Sequence, residues 1–347
     1  MTALPRSPAG REAPIERATL VKIARDTAAR RMAARPSLLS AYLIGSVAAG
    51  EPLLGDATDI DLVLIDSNPP PVAREVVRLT DQVALDIHHR GRADYANPKS
   101  LRGHPWLGPE LAEPMFISDP QHFFELAQSS TRGQYHRAEY VAARARAFLA
   151  WAREAFHIGV LPGAEPEAPV SLDDFGLGLQ HAANAVISLT GFPGAGRRLV
   201  MKLETAARKL ARPDLYDDFQ ALFGGPDLAA QPAQALLADW LDAYRAGQSA
   251  TDERIHPARR TIYERGFRAQ IQADRAAESV WLMLVTWNAC LSNAPAAPSA
   301  LTERWQAFLG RLRLATPDQH AASLQQAVAY ITQVDEVVEG WAGQNGV

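Results

Sequence analysis

The chain is short of cysteine, of long apolar runs and of net charge, and each shortage removes a class of function. Cys290 is its only cysteine, so an internal disulfide, a cysteine-built zinc cluster and a redox pair are all excluded. Its neighbours Trp287, Asn288, Ala289 and Leu291 give it an apolar helical setting, where a free thiol acts as a small hydrophobe rather than a nucleophile. No segment approaches the roughly 18–20 uninterrupted apolar residues of a membrane span. The opening MTALPRSPAGREAP lacks the apolar core of a secretory signal and reads as a flexible tail over residues 1–14. A cytoplasmic protein with no membrane partner is the expectation. The formal net charge is only −4, which is not the basic field of a nonspecific nucleic-acid binder and leaves a defined RNA end as the weaker kind of substrate. What the sequence does have is length: 347 residues call for two domains at roughly 100–200 residues each.

The pattern divides near residue 130. Ile15 to Arg35 carries apolar residues at helical spacing, including Leu20, Ile23, Ala24 and Ala28. Leu39 to Ile44, Ile60 to Ile65 (IDLVLI) and Val83 to His88 (VALDIH) are short apolar runs rich in β-branched residues and predict strands, with Met115 to Ser118 as a fourth. A helix is expected from Val72 to Asp81, after the break at Pro69, Pro70 and Pro71. From about Gln121 strand signals vanish and Ala/Leu/Arg-rich stretches take over. Helices are expected at 135–156, 172–190, 197–211, 214–223, 232–246, 257–292, 299–314 and 319–342, with a loop at 159–170. Ser171 has the character of an N-cap, with Asp173 and Asp174 in the first turn. Six of the seven tryptophans (Trp151, Trp240, Trp281, Trp287, Trp305, Trp341) fall in this part, as large anchors for a bundle core. The expected fold class is α+β: a small mixed-sheet domain over 15–130, with helices on one side of the sheet, followed by an all-α helical bundle over 131–347.

The chemistry concentrates in Leu43 to Ile65. An apolar strand runs into Gly45-Ser46, and after a twelve-residue gap Asp59-Ile60-Asp61 opens the next strand. Gly45 has no Cβ, so the backbone turns sharply and a phosphate can approach. Ser46 offers a hydroxyl where a short helix would begin, a ready anion site. Residues two apart on a strand share a side, so Asp59 and Asp61 project together while Ile60 and Leu62 point to the core. Two such carboxylates, completed by phosphate oxygens and water, suit one or two Mg²⁺ ions, which would neutralise a triphosphate and orient its α-phosphorus. Asp86 sits mid-strand among apolar residues, where an unpaired charge is costly. Facing a metal as third ligand would account for it, and there it could accept the proton of an attacking hydroxyl.

This constellation resembles the DNA polymerase β-type nucleotidyltransferase superfamily, whose pattern is an apolar residue, Gly, Gly or Ser, a gap of this length, and then Asp-apolar-Asp/Glu-apolar. The resemblance covers residues 40–90, and FISDPQHFF at 116–124 is similar to the segment that closes the domain in minimal, aminoglycoside-type members. The helical part resembles, in architecture alone, the helical domains beside such heads. The resemblance implies triphosphate binding by Gly45 and Ser46, metal binding by Asp59, Asp61 and Asp86, and transfer of an NMP from an NTP, ATP foremost, to a hydroxyl acceptor. A small aminoglycoside-like molecule is the leading acceptor; a protein or tRNA acceptor of toxin–antitoxin type and a non-catalytic nucleotide-binding module are the alternatives. A homodimer is left open.

Outside that core the candidates are weaker. His88 shares the face of Asp86 and could touch metal or phosphate, with His89 behind it. Arg90, Arg92 and Lys99 could neutralise phosphates or be solvated loop charges. GFPGAGRR at 191–198 lacks a P-loop ending and follows a helix, so a tight helix–helix turn explains its glycines. Beyond it, Arg197, Arg198 and Lys202 project from the next helix, and Lys202 or Arg208 could reach a triphosphate across a cleft. By family analogy Glu204 is a candidate general base, although an i,i+4 pair with Arg208 explains it equally. The charged stretch 253–275, with acids interleaved, reads as a solvated face.

Overall fold

A computed structural model describes residues 15–159, 166–224, 228–294 and 298–347. The expected tail at 1–14 and part of the expected loop at 159–170 lie outside the described residues. Helix α1 (Arg17–Ala34) leads into β1 (Leu38–Ile44), the short α2 (Gly45–Ala49) and β2 (Thr58–Asp66). Then come β3 (Arg74–Arg78), β4 (Val83–Gly91), α3 (Pro98–Gly103), α4 (Leu107–Ala112), β5 (Met115–Ser118) and α5 (Phe123–Arg132). The strands form one sheet in the order β3-β4-β2-β1-β5. Only the β2–β4 pair is parallel. Past β5, no further strand occurs among the described residues. The chain continues through α6 (Ala138–Ala155), α7 (Leu172–Ser188), α8 (Leu199–Lys209), α9 (Asp214–Ala221) and α10 (Ala230–Gly247), and then α11 (Arg260–Gln272), α12 (Ala277–Asn293), α13 (Ser299–Arg311) and α14 (Pro317–Gln344). The fold is α+β, a small mixed sheet followed by a helical bundle.

Helices cover both faces of the sheet, not one as expected. On the first face Leu20, Val21, Ala24 and Ala28 of α1 pack with Leu43, Ile60, Leu62 and Ile87. On the second, Tyr42, Val63 and Ile65 meet Leu101, Leu107, Leu111 and Phe124, and Phe124 stacks on Tyr42 with ring centroids 4.3 Å apart. The reason lies in β2 itself. Leu62, Val63, Leu64 and Ile65 are apolar on alternate sides, so a cover on one side would leave two large residues in water.

The helix expected over 72–81 is instead strand β3, joined to β4 by a hairpin. Its Val76 and Val77 pair with Asp86 and Leu85, and the Thr80 hydroxyl accepts from the backbone N–H groups of Gln82 (3.1 Å) and Val83 (3.0 Å), which fixes the turn. Adjacent β-branched residues beside a strand partner outweigh the helix propensity of Ala73-Arg74-Glu75. The helix expected over 257–292 is two helices, parted at Asp274. That residue adopts a left-handed φ of 58°, a conformation Asp tolerates better than most.

Ser171 is the N-cap of α7, accepting from the Asp174 N–H at 3.1 Å. In the bundle core Trp240 and Trp287 are fully enclosed. Trp240 donates from Nε1 to the Thr286 hydroxyl at 2.8 Å, and Trp287 stacks on Phe308 at 5.1 Å. Trp281 and Trp305 are buried beside them, while Trp151 and Trp341 close the margin. Cys290 is buried in the same core, and burial pushes its thiol up to about 12, away from nucleophilic chemistry.

The bundle seats closely on the sheet domain. Ala57 and Ala84 meet Ala258 and Ile262, and the three alanines are short enough to let the two backbones approach. Gly55 has a left-handed φ of 69°, and a Cβ there would fall 2.1 Å from the Arg265 carbonyl oxygen. Gly55→Ala is therefore expected to cost about 2–4 kcal/mol in urea unfolding, from left-handed strain plus overpacking. Gly196, with φ of 52° and nothing within 4 Å of a built Cβ, supplies the control: Gly196→Ala should cost about 1–2 kcal/mol from strain alone. Equal costs would rule out the close seating at Gly55.

Candidate functional site

The site lies at the end of β2 where the burial pattern alternates. Asp59 and Asp61 stay partly open, whereas Ile60 and Leu62 are enclosed, as period-2 geometry requires. Asp61 stands opposite Ile44 of β1 and opposite Asp86 of β4. The chain turns at Gly45 with φ of 70°, and a Cβ there would lie 2.1 Å from Asp61 Oδ2. Only glycine lets the Asp61 carboxylate lie over that turn. Ser46 follows at the start of α2, with its hydroxyl 3.4 Å from that of Thr58. The C-terminal end of α2 is held by Arg17, which donates to the carbonyls of Val47 (2.8 Å) and Ala48 (2.6 Å).

Asp86 is the most constrained member of the row, with a side chain only 1% exposed. Arg74, from edge strand β3, grips it as a two-pronged fork: Nε donates to Oδ1 and Nη2 to Oδ2, each at 2.7 Å. Arg259, just before α11, donates from Nη2 to the same Oδ2. Arg74 also bridges to Glu253. Burial alone would raise the Asp86 carboxyl, but the Arg74 hydrogen bonds and the Arg259 charge outweigh it and hold the group below the usual carboxylate range. Asp61 goes the other way. Burial first, then the charges of Asp59 and Asp86, push it well above that range, against the smaller pull of Arg74 and Arg259.

His88 shares this face, two residues after Asp86 on β4. Burial, then the neighbouring Arg74, lower it to about 4, so the ring is neutral at ordinary pH. Its Nε2 is buried without a hydrogen-bond partner. Asp61, Asp86 and His88 offer ligand atoms that all lie within 4.8 Å of one another, a group able to hold a metal ion. Two observations fit a divalent cation there: a repelling, proton-avid carboxylate at Asp61 and an unsatisfied ring nitrogen beside it. Asp59 stands one step outward on β2, 3.9 Å from Arg197.

The remaining candidates are placed as follows. Arg197 donates to the carbonyls of Leu54 (2.9 Å) and Ala57 (3.4 Å), tying the bundle to the loop before β2. Arg198 and Lys202 lie 3.2 Å and 3.7 Å from the Glu51 carboxylate, and Lys202 also donates to the Pro193 carbonyl at 3.4 Å. The structure thus sets Lys202 against the loop after α2, not in the carboxylate row. Glu204 belongs to a separate cluster, paired with Arg208 at 2.6 Å and with Arg275. Arg90 pairs with Glu110 at 3.0 Å, Arg92 stacks over Phe123 at 5.5 Å, and His89 points to Glu75 at 3.6 Å. Asp173 accepts from Arg254 and Asn288 within the bundle.

Sequence reasoning missed Arg74 and Arg259. Arg74 lay in the stretch taken for a helix. Arg259 lay in the stretch read as a solvated face, yet it is buried on Asp86. The alternation of Arg74, Val76 and Arg78 before a Thr80-Asp81 turn was a hairpin signal; nothing local marks Arg259. No family model matches the chain, and no curated protein matches it at a significant level.

The opposed shifts of Asp61 and Asp86 have opposite consequences for stability. The folded-state pKa of Asp61 is raised, so its favourable contribution is full at low pH and is lost as pH rises above the unfolded value of about 3.9. Asp61→Asn should therefore stabilise the protein at pH 7, with no gain near pH 3. The folded-state pKa of Asp86 is lowered, so its contribution is present above the unfolded value and is lost as pH falls. Asp86→Asn should destabilise at pH 7 by about 3–5 kcal/mol, leaving two guanidiniums without their anion. Chemical denaturation of both variants across pH 3–8 checks the signs; a destabilised Asp61→Asn at pH 7 would contradict this account of the row.

Proposed function

We propose that the chain is a divalent-cation-dependent nucleotidyltransferase, moving an NMP from an NTP to a hydroxyl acceptor with release of pyrophosphate. The observation that carries this reading is the seating of Asp61: in register with Asp86 on a parallel strand, with its carboxylate folded over the bare Cα of Gly45. The residue pattern resembles the polymerase β-type superfamily, and the mixed sheet followed by a helical bundle is in keeping with it.

In the reaction the acceptor oxygen bonds to the α-phosphorus, the bond from that phosphorus to the oxygen bridging it to the β-phosphorus breaks with pyrophosphate taking the electron pair, and the hydroxyl proton passes to solvent water. A bound cation, Mg²⁺ in the plainest form of the proposal, neutralises phosphate charge and aligns the α-phosphorus. Asp59 and Asp61 would hold it, with Asp86 as the third carboxylate. Gly45 leaves room for the Asp61 carboxylate over the backbone, and Ser46 offers its hydroxyl to a phosphate beside it. Arg197, already beside Asp59, is the cation supplied by the bundle for the outer phosphates. Lys202 takes part only if Glu51 releases it. Asp86 is a weak proton acceptor because two guanidiniums hold it ionised, so it orients rather than acts as the base. A small hydroxylated acceptor remains the leading class.

One observation favours a second reading. Both oxygens of Asp86 are already neutralised by arginines, as they would be in a head that binds nucleotide without transferring it, or in a scaffold. Calorimetric titration of each NTP into the intact chain, with and without Mg²⁺, separates the readings. Binding that requires Mg²⁺ and is lost in Asp59→Asn/Asp61→Asn supports the site, and pyrophosphate release on adding hydroxylated acceptors supports transfer. A folded chain that binds no NTP rejects the proposal.

A further inference from the structure

We propose that His88 completes a cation site with Asp61 and Asp86, and that its nitrogen turns the preference of that site from Mg²⁺ towards first-row transition ions such as Mn²⁺, Co²⁺ and Zn²⁺. The inference deepens the function proposed above and rests on it only in that Asp61 and Asp86 hold a cation.

His88 Nε2 lies 3.8 Å from Asp61 Oδ1 and 3.8 Å from Asp86 Oδ1. Both gaps are too long for a hydrogen bond, and the nitrogen is buried without another partner. A histidine kept for structure alone would close on one of the two carboxylates, because an unmade hydrogen bond in the interior is costly. Here the ring stands off equally from both. Ions of this class make bonds of about 2.0–2.2 Å to nitrogen and oxygen. At tetrahedral or octahedral angles such bonds set two donor atoms about 2.8–3.6 Å apart, so the ring and a carboxylate reach one ion by closing only slightly. One ion can therefore bridge the nitrogen to either carboxylate.

The surroundings of Asp86 suit a ligand held from behind. Oδ2 receives hydrogen bonds from both Arg74 and Arg259, while Oδ1 receives one, from Arg74. A carboxylate oxygen has two lone pairs, so Oδ1, the atom nearer His88, keeps one free. Hydrogen-bonded outer partners of this kind fix a ligating carboxylate in orientation. Asp86 then answers to the arginines on one side and to the ion on the other.

The donor set decides which ion. Oxygen donors alone suit Mg²⁺, which binds imidazole poorly; a neutral ring nitrogen raises affinity for transition ions, broadly rising from Mn²⁺ towards Cu²⁺. The pair Asp59 and Asp61 taken alone is an oxygen site, so His88 is the residue that tips the choice.

The test uses the intact chain without nucleotide. Mn²⁺ is titrated and followed by electron paramagnetic resonance and calorimetry, with Mg²⁺ as competitor. The wild type should bind Mn²⁺ at least about tenfold more tightly than Mg²⁺. His88→Ala should weaken Mn²⁺ about tenfold or more and change Mg²⁺ less than about threefold, in the range seen on disturbing a metal site. His88→Asp, which keeps three ligands but makes them all oxygen, should bring the two ions to similar affinity. Should His88→Ala fail to fold, pulsed resonance on the wild type still decides, since bound Mn²⁺ must show coupling to an imidazole nitrogen. Binding of both ions with no nitrogen coupling, or an unchanged Mn²⁺ to Mg²⁺ ratio in folded His88→Ala, overturns the inference and leaves the nucleotidyltransferase reading standing. Binding of neither ion overturns the inference, and the nucleotidyltransferase reading then stands or falls with the NTP titration above.

Discussion

The molecule is organised around one buried carboxylate. Asp86 is enclosed on β4, and an ion so placed is tolerated only when its charge is met at close range. It is met from two directions: Arg74 is paired through a hairpin a few residues upstream, and Arg259 arrives from the bundle. The sheet edge, the bundle and the acidic row thus meet at a single side chain, while Arg197 makes a second tie to the loop before β2. Alanines at 57, 84 and 258 permit it, since larger residues there would hold the backbones apart and leave Arg259 short of its partner.

This arrangement separates two kinds of carboxylate on adjacent strands. Asp86 is satisfied and stays ionised, while Asp61, directly beside it in register, is crowded by like charge. Groups adjacent in space but driven to opposite proton affinities mark places where a protein forgoes stability for chemistry. Glu204, by contrast, sits in a bundle cluster with Arg208 and Arg275 that needs no ligand to account for it.

Much of this was legible in the sequence because it follows from short-range periodicity. Asp59 and Asp61 share a face through a period of two, and the apolar runs around Ile60 and Leu85 are strands whatever surrounds them. Gly45 was readable as a turn because no other residue type suits it there. Three features were not legible, each for a physical reason. The short strand β3 exists only by pairing with β4, so Ala73-Arg74-Glu75 taken alone favours a helix. The second covered face of the sheet follows from LVLI being apolar on both sides, a sign easily read as ordinary strand composition. Arg259 carries no local mark, since a buried arginine and a solvated one look alike until the partner is known.

The distance along the chain between Asp86 and Arg259, 173 residues, has a consequence for biosynthesis. All five strands are encoded by residue 118, long before the second arginine has been made. At about 5–20 residues per second, the ribosome needs roughly 7–28 s after residue 118 to supply it. Through that interval the nascent sheet carries its acidic row with Arg74 as the sole guanidinium on Asp86. Until then the growing chain lacks one of the two positive charges that offset Asp86, and the edge at Ala57 and Ala84 has neither Ala258 nor Ile262 to cover it.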